Sequence, residues 1–351
     1  MKAAAAIEKG KVAVVDIPMP EIGEYECLVK ITACGLCSST DLKIINNSIS
    51  NLNIKYPTVI GHEGVGVIDK IGSKVKNFKV GDRIAIPSGR VMPGCGYNSN
   101  WAHMAEYGVT TDVKAMVDDG VPMRYKPDLE NHPAKFIPDS ISDIDAVMLL
   151  TFKENYSALK NFGMREGMNI LIYGDGAVAH GMAVMARDMG AAFVEIVGHH
   201  DDRIEIIRQH VKLDLAVNSH NESVVDKANE LGVRFDIVVD GVGSVDIIME
   251  GARLCKPFGR VGCYGVLKHA YANINLCDMP NNIMLQTLNW PYREHAAHDE
   301  VLSLVERGLL DPKEFYSHVL PLGKIAEGVE MIRTRQAYKV IIDMTMPESE
   351  S

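Results

Sequence analysis

Asn169-Ile170-Leu171-Ile172-Tyr173-Gly174-Asp175-Gly176-Ala177-Val178-Ala179 reads as an apolar strand that enters a glycine turn and leaves it as a helix. The turn fits the pattern GxGxxG/A, with Ala179 in the third slot. The first glycine allows the tight turn and the second lets backbone approach a pyrophosphate. The helix N-terminus adds free N–H groups and a partial positive charge. Gly174, Gly176, Ala177 and Val178 are therefore candidates for holding a dinucleotide, with the helix expected over 182–189. A purely structural glycine turn is the bland alternative, and the downstream pattern argues against it. Apolar runs at 193–197, 216–217, 236–240 and 259–264, with a helical stretch at 203–210, recur at the spacing of βα units. They predict an α/β fold with a doubly wound parallel sheet.

About 20 residues past such a turn, an acid at the end of the second strand normally holds the ribose hydroxyls. Gly198 stands there instead, followed by His199, His200, Asp201, Asp202 and Arg203. Two histidines and an arginine suit a 2′-phosphate, so NADP(H) is the expected cofactor. The alternative is NAD, with Asp201 or Asp202 on the ribose.

Outward from this core the texture changes. The first part of the chain carries short β-type runs at 12–15, 26–31, 64–68 and 83–87, broken by Gly and Pro, which reads as a β-rich half. The chain has 351 residues, enough for about two domains at a soft prior of ~150 residues each. It carries 36 Lys+Arg against 46 Asp+Glu, a net charge of −10, and the two signs are interleaved. No basic face for nucleic acid is expected. No stretch approaches the ~20 apolar residues of a membrane helix, and the apolar run at 3–7 is cut short by Glu8 and Lys9. Seven scattered cysteines, an odd number, do not make a disulfide framework, so reduced thiols in the cytoplasm are expected.

Two further segments carry chemistry: Cys34-Gly35-Leu36-Cys37-Ser38-Ser39-Thr40-Asp41-Leu42-Lys43 and Gly61-His62-Glu63-Gly64-Val65-Gly66. A thiolate, an imidazole and a carboxylate are zinc ligands, and three of them with one open position define a catalytic site. Singly each means little, since a lone His beside Gly is more often structural and one CxxC is weak evidence of a metal.

The order of these segments, with Val80-Gly81-Asp82-Arg83-Ile84, the glycine turn and the closing Lys339-Val340-Ile341-Ile342, resembles the zinc-dependent medium-chain dehydrogenase/reductase family over nearly the whole chain. The resemblance implies a GroES-like catalytic domain over 1–150, a Rossmann coenzyme domain over 151–290 and a return to the catalytic domain over 291–351. It also implies an active site in the cleft and a homodimer or homotetramer. By position it assigns Cys37 and His62 to one catalytic zinc per chain, Glu63 to binding that zinc or sitting just behind it, Ser39 or Thr40 to proton transfer, Asp41 to orienting a ligand, and Lys339 to the cofactor. Lys43 stands where many members have a relay histidine. The usual third ligand falls near Leu150 or Thr151, neither of which can serve, so Glu154, one helical turn along, is nominated. The structural-zinc lobe is represented only by Cys95, so no structural zinc is expected. An insertion at about 111–138 reads as a loop by composition.

The implied activity is that of an oxidoreductase that interconverts a secondary alcohol, of the polyol, sugar or cyclitol class, and its ketone. Phe152, Trp101 and Trp290 are candidate apolar walls of the pocket. Competing readings are a zinc-independent enone or quinone reductase and a dinucleotide-binding protein without catalysis.

Overall fold

The computed structural model describes residues 1–49, 53–267, 273–288 and 293–347, so Trp290 lies outside the described residues. The chain divides into two compact units, Met1–Leu150 with Asp311–Ser351, and Thr151–Leu310. The second unit thus runs past the expected limit at 290. It includes the helix His298–Glu306, after which Arg307 bonds Asp188 of the same unit at 2.9 Å.

That unit is built on six parallel strands in the order Leu215–Asn218, Phe193–Gly198, Asn169–Tyr173, Phe235–Asp240, Cys255–Cys263, Met284–Thr287. The strand that is first in sequence lies inside the sheet. The chain winds away from it on one side, then returns to wind on the other, which makes its carboxyl end the switch point where dinucleotides bind. Ile170, Leu171 and Ile172 are wholly buried, as a parallel sheet covered on both faces requires. On one face Leu171, Tyr173, Val197 and Val238 pack with Val224, Ala228, Ile248 and Ala252 of two helices, Val224–Glu230 and Val245–Leu254. The helix after the glycine turn spans Ala177–Asp188, five residues earlier than the expected start at 182. Gly176 is its N-cap, and small residues let its first turn sit close to the sheet.

The first unit holds a seven-stranded sheet and a four-stranded one. In the larger sheet Glu26–Leu36 is the organising strand, with Val340–Asp343 antiparallel on one edge and Glu63–Ile71 antiparallel on the other. In the smaller one Lys2–Glu8 carries Ala3, Ala4, Ala5 and Ala6, all without exposed surface. The insertion is not loop throughout. Asp112 caps a helix, Val113–Asp118, by accepting from Ala115 N at 3.0 Å, and it also takes the backbone N–H groups of Lys76 and Asn77. Composition hid this short helix because one buried cap sets it. Among the described residues no helix is long and apolar enough to cross a membrane.

Candidate active site

Strand register assembles one cluster. Val340 lies opposite Leu36, and Gly35 opposite Glu63, so Lys339, Cys37 and the His62-Glu63 pair meet at the same end of three neighbouring strands. The ligand atoms of Cys37, His62 and Glu63 all lie within 4.8 Å of one another. A soft thiolate, a borderline imidazole and a hard carboxylate at that spacing fit zinc, whose bonds of about 2.0–2.3 Å to such donors bring them closer still.

Each of these three side chains is held from behind. Asp41, fully buried on the helix Thr40–Ile45, places Oδ1 3.3 Å from His62 Nδ1, while its Oδ2 accepts from Cys37 N at 2.9 Å. One carboxylate thus fixes the imidazole so that Nε2 faces the cluster, and also fixes the backbone of the cysteine. Thr40 N donates to Cys37 Sγ at 3.4 Å, which helps to fix the position of the sulfur. Burial works against a proton on His62, but the Asp41 charge and the contact with Cys37 outweigh it and hold His62 well above its ordinary value. A metal must therefore displace a proton from this imidazole as it binds.

Glu63 makes the other tie. Lys339 Nζ donates to Glu63 Oε1 at 2.9 Å and lies 2.6 Å from Oε2, and both side chains are buried. Burial alone would lower the lysine pKa, but Glu63 and the nearby Cys37 outweigh it and raise it, so the ammonium stays charged. Lys339, expected at the cofactor, is engaged here with Glu63, an ion pair 276 residues apart in sequence that only the register of the closing strand discloses. Gly35 makes room for it: a Cβ there would lie 2.0 Å from Glu63 Oε2 and 2.9 Å from Val147 Cγ1. Gly35→Ala is expected to push the carboxylate out of place and to lower metal affinity by about 10–100-fold, as loss of a partner behind a ligand does. Metal titration checks this, and unchanged affinity would show that Glu63 is not held through Gly35.

His103 went unread in the sequence, and no local motif marks it. Its Nδ1 accepts from Gly64 N at 3.2 Å, and burial together with the His62 charge pushes its pKa down to about 3, so it stays neutral. Trp101, expected as an apolar wall, places its ring 5.6 Å from the His62 ring. Trp101 and Ala102 both take left-handed backbone, with φ of +64° and +57°. Such a pair of non-glycine residues is uncommon and marks a constrained loop. Ser39 Oγ accepts from Lys43 Nζ at 3.3 Å, and Ser39 and Thr40 are both partly exposed. The nominated Glu154 belongs to the second unit, in the helix Met148–Asn161, where its carboxylate accepts from Tyr264 OH at 3.5 Å. Leu150, Thr151 and Phe152 are buried on that helix.

At the switch point of the second unit, Gly174 has φ +138°, and among the described residues no atom lies within 4 Å of where a Cβ on Gly176 would stand. The turn is therefore open to close approach by a ligand, with the helix N-terminus behind it. At the end of the second strand His199 faces the His220 ring at 4.4 Å and Ser219 Oγ at 3.3 Å. Gly198 pairs with Asn218, so these groups come from the end of the adjacent parallel strand. Asn218 Nδ2 donates to Asp201 Oδ1 at 2.8 Å, which engages that carboxylate.

Residues 23–118 match the alcohol dehydrogenase GroES-like domain. Over 349 residues the chain is 24% identical to human sorbitol dehydrogenase, covering 95% of this chain and 93% of that protein. It is 28% identical over 352 residues to L-threonine 3-dehydrogenase of Cronobacter sakazakii, with 93% and 94% covered. Alcohol dehydrogenase TADH from Thermus sp. ATN1 superposes with a TM-score of 0.79 at 21% identity over 98% of this chain and 99% of that one, a likeness of fold. Over nearly its whole length the chain is thus similar to sorbitol and L-threonine dehydrogenases, with residues 23–118 matching the GroES-like domain of alcohol dehydrogenases.

Proposed function

We propose that the protein is an NADP(H)-preferring oxidoreductase that interconverts a secondary alcohol and its ketone, with one zinc held by Cys37, His62 and Glu63. The observation that carries this is the convergence of a thiol, an imidazole and a carboxylate within 4.8 Å. When bound, zinc supplies Lewis acidity that polarises the alcohol or carbonyl oxygen. The chain does the rest. Asp41 keeps His62 in one tautomer and orientation, Lys339 balances the charge of Glu63, and Ser39 or Thr40, each partly exposed, passes the proton to solvent. Once a metal has displaced the His62 proton and taken Cys37 as thiolate, Cys37, Glu63 and Asp41 as anions with Lys339 as cation leave a −2 charge, which a divalent cation neutralises.

A nicotinamide dinucleotide fits the open turn at Gly174 and Gly176. The NADP(H) preference is supported by Gly198 in place of an acid and by His199, His200 and Arg203 beside it. A polyol, sugar or cyclitol is the proposed substrate class, in keeping with the sorbitol dehydrogenase relative. We place the protein in the cytoplasm, where its seven unpaired cysteines would stay reduced, and as a homodimer or homotetramer. The Glu63–Lys339 pair favours one competing reading, a zinc-independent enone or quinone reductase, because the carboxylate already has a cation.

Steady-state assays over polyols, secondary alcohols, ketones and enones with each coenzyme separate the readings. Alcohol and ketone turnover, with kcat/KM at least tenfold higher for the phosphorylated coenzyme, is expected. Turnover of enones alone, undiminished by chelators, contradicts it.

A further inference from the structure

The glycine at the end of the second strand is matched by a carboxylate from elsewhere. A Cβ on Gly198 would lie 2.7 Å from Asp175 Cβ and 3.0 Å from Asp175 Oδ2. A side chain at 198 and the observed Asp175 side chain cannot coexist. The space that a strand-end acid would enter is filled by an acid reaching across from the glycine turn, 23 positions earlier in the chain.

One oxygen of Asp175 is fully engaged there. Its Oδ2 takes the backbone N–H of His199 at 2.8 Å, that of His200 at 3.0 Å, and lies 2.7 Å from His200 Nδ1. Three donors on one oxygen exceed its two lone pairs, so this atom has no capacity left for ribose hydroxyls. Its Oδ1 lies 3.9 Å from Arg203 Nη1. Burial works against ionisation of Asp175, but the His199 N–H and the His200 ring outweigh it and hold the carboxyl below its ordinary value. The carboxylate therefore ties the His200 and Arg203 side chains and the backbone between them into one arrangement. With its Nδ1 bonded to Asp175, the His200 ring turns Nε2 away from the acid.

We infer that Asp175 is a specificity-determining positioning residue of the coenzyme site, which fixes His200 and Arg203 as donors for the ribose 2′-phosphate. This rests on the proposed NADP(H) preference. Gly198 is then the residue that clears the space.

Equilibrium binding of NADPH and NADH to the purified full-length protein, followed by coenzyme fluorescence, tests the inference without turnover. Asp175→Ala is expected to weaken NADPH by about 10–100-fold, the loss that goes with hydrogen bonds to charged groups, and to change NADH by less than about threefold. Gly198→Ala should do the same by displacing the carboxylate, and adding it to Asp175→Ala should cost little more, because the two act through one contact. NADH affinity serves as the control for folding. Unchanged or tighter NADPH binding in Asp175→Ala, with NADH weakened, overturns the inference and makes Asp175 the ribose acid. A wild type that binds NADH at least as tightly as NADPH refutes the coenzyme reading itself, and the inference with it.

Discussion

Replacing His62 with alanine is expected to lower kcat/KM for alcohol oxidation and for ketone reduction alike by about three orders of magnitude or more, while NADPH affinity changes by less than about twofold. Loss of a ligand removes charge stabilisation worth several kcal/mol in the transition state, and each 1.36 kcal/mol is tenfold in rate. Cys37→Ser should act in the same way. The glycine turn at Gly174 and Gly176, the proposed coenzyme site, belongs to the other compact unit, which is why coenzyme binding should persist. Asp41→Asn makes the graded comparison. It keeps the shape behind His62 but weakens the hold on the imidazole, and a fall of about 10–100-fold in metal affinity or activity is expected. Full activity in His62→Ala would sink the metal-assisted reading.

The second large effect concerns stability. Glu195 sits in the middle strand of three, beside Leu171 and Leu215, on the sheet face that carries Tyr173, Val197 and Val217. Among the described residues neither carboxyl oxygen has a hydrogen-bond partner, and burial pushes its pKa up from 4.5 to about 8. The folded state binds this proton more tightly than the unfolded chain. Its contribution is therefore fully present below about pH 4.5 and is lost as pH rises towards 8, a span of about 5 kcal/mol in all. Glu195→Leu should remove that slope. Measured by urea unfolding, the stability gain of the variant over wild type should widen by about 2–3 kcal/mol between pH 6 and pH 8.5. Parallel pH profiles for the two proteins would show that Glu195 is solvated or paired.

Much of the architecture was legible because it is local. The run 169–173 followed by two glycines needs only a strand, a turn and a helix, and the structure adds the five parallel strands around it. Strand limits shifted where neighbours extend them: Cys255–Cys263 begins four residues before the apolar run at 259, paired to Phe235–Asp240. Cys37, His62 and Glu63 stood out by residue type. Their surroundings did not, because these depend on register between distant strands. Lys339 reaches Glu63 only once Val340 pairs with Leu36, and no local pattern encodes that. Asp175 was hidden for a different reason: it occupies a variable slot of the glycine motif, and its role appears only beside the missing side chain of Gly198.

Zinc content per chain, determined by elemental analysis on purified and dialysed protein, tests the central claim most directly. About one zinc per chain is predicted, the number for a catalytic site without a second, structural one. A protein that holds no zinc after dialysis, and takes up none when zinc is supplied, would contradict a metal site at Cys37, His62 and Glu63.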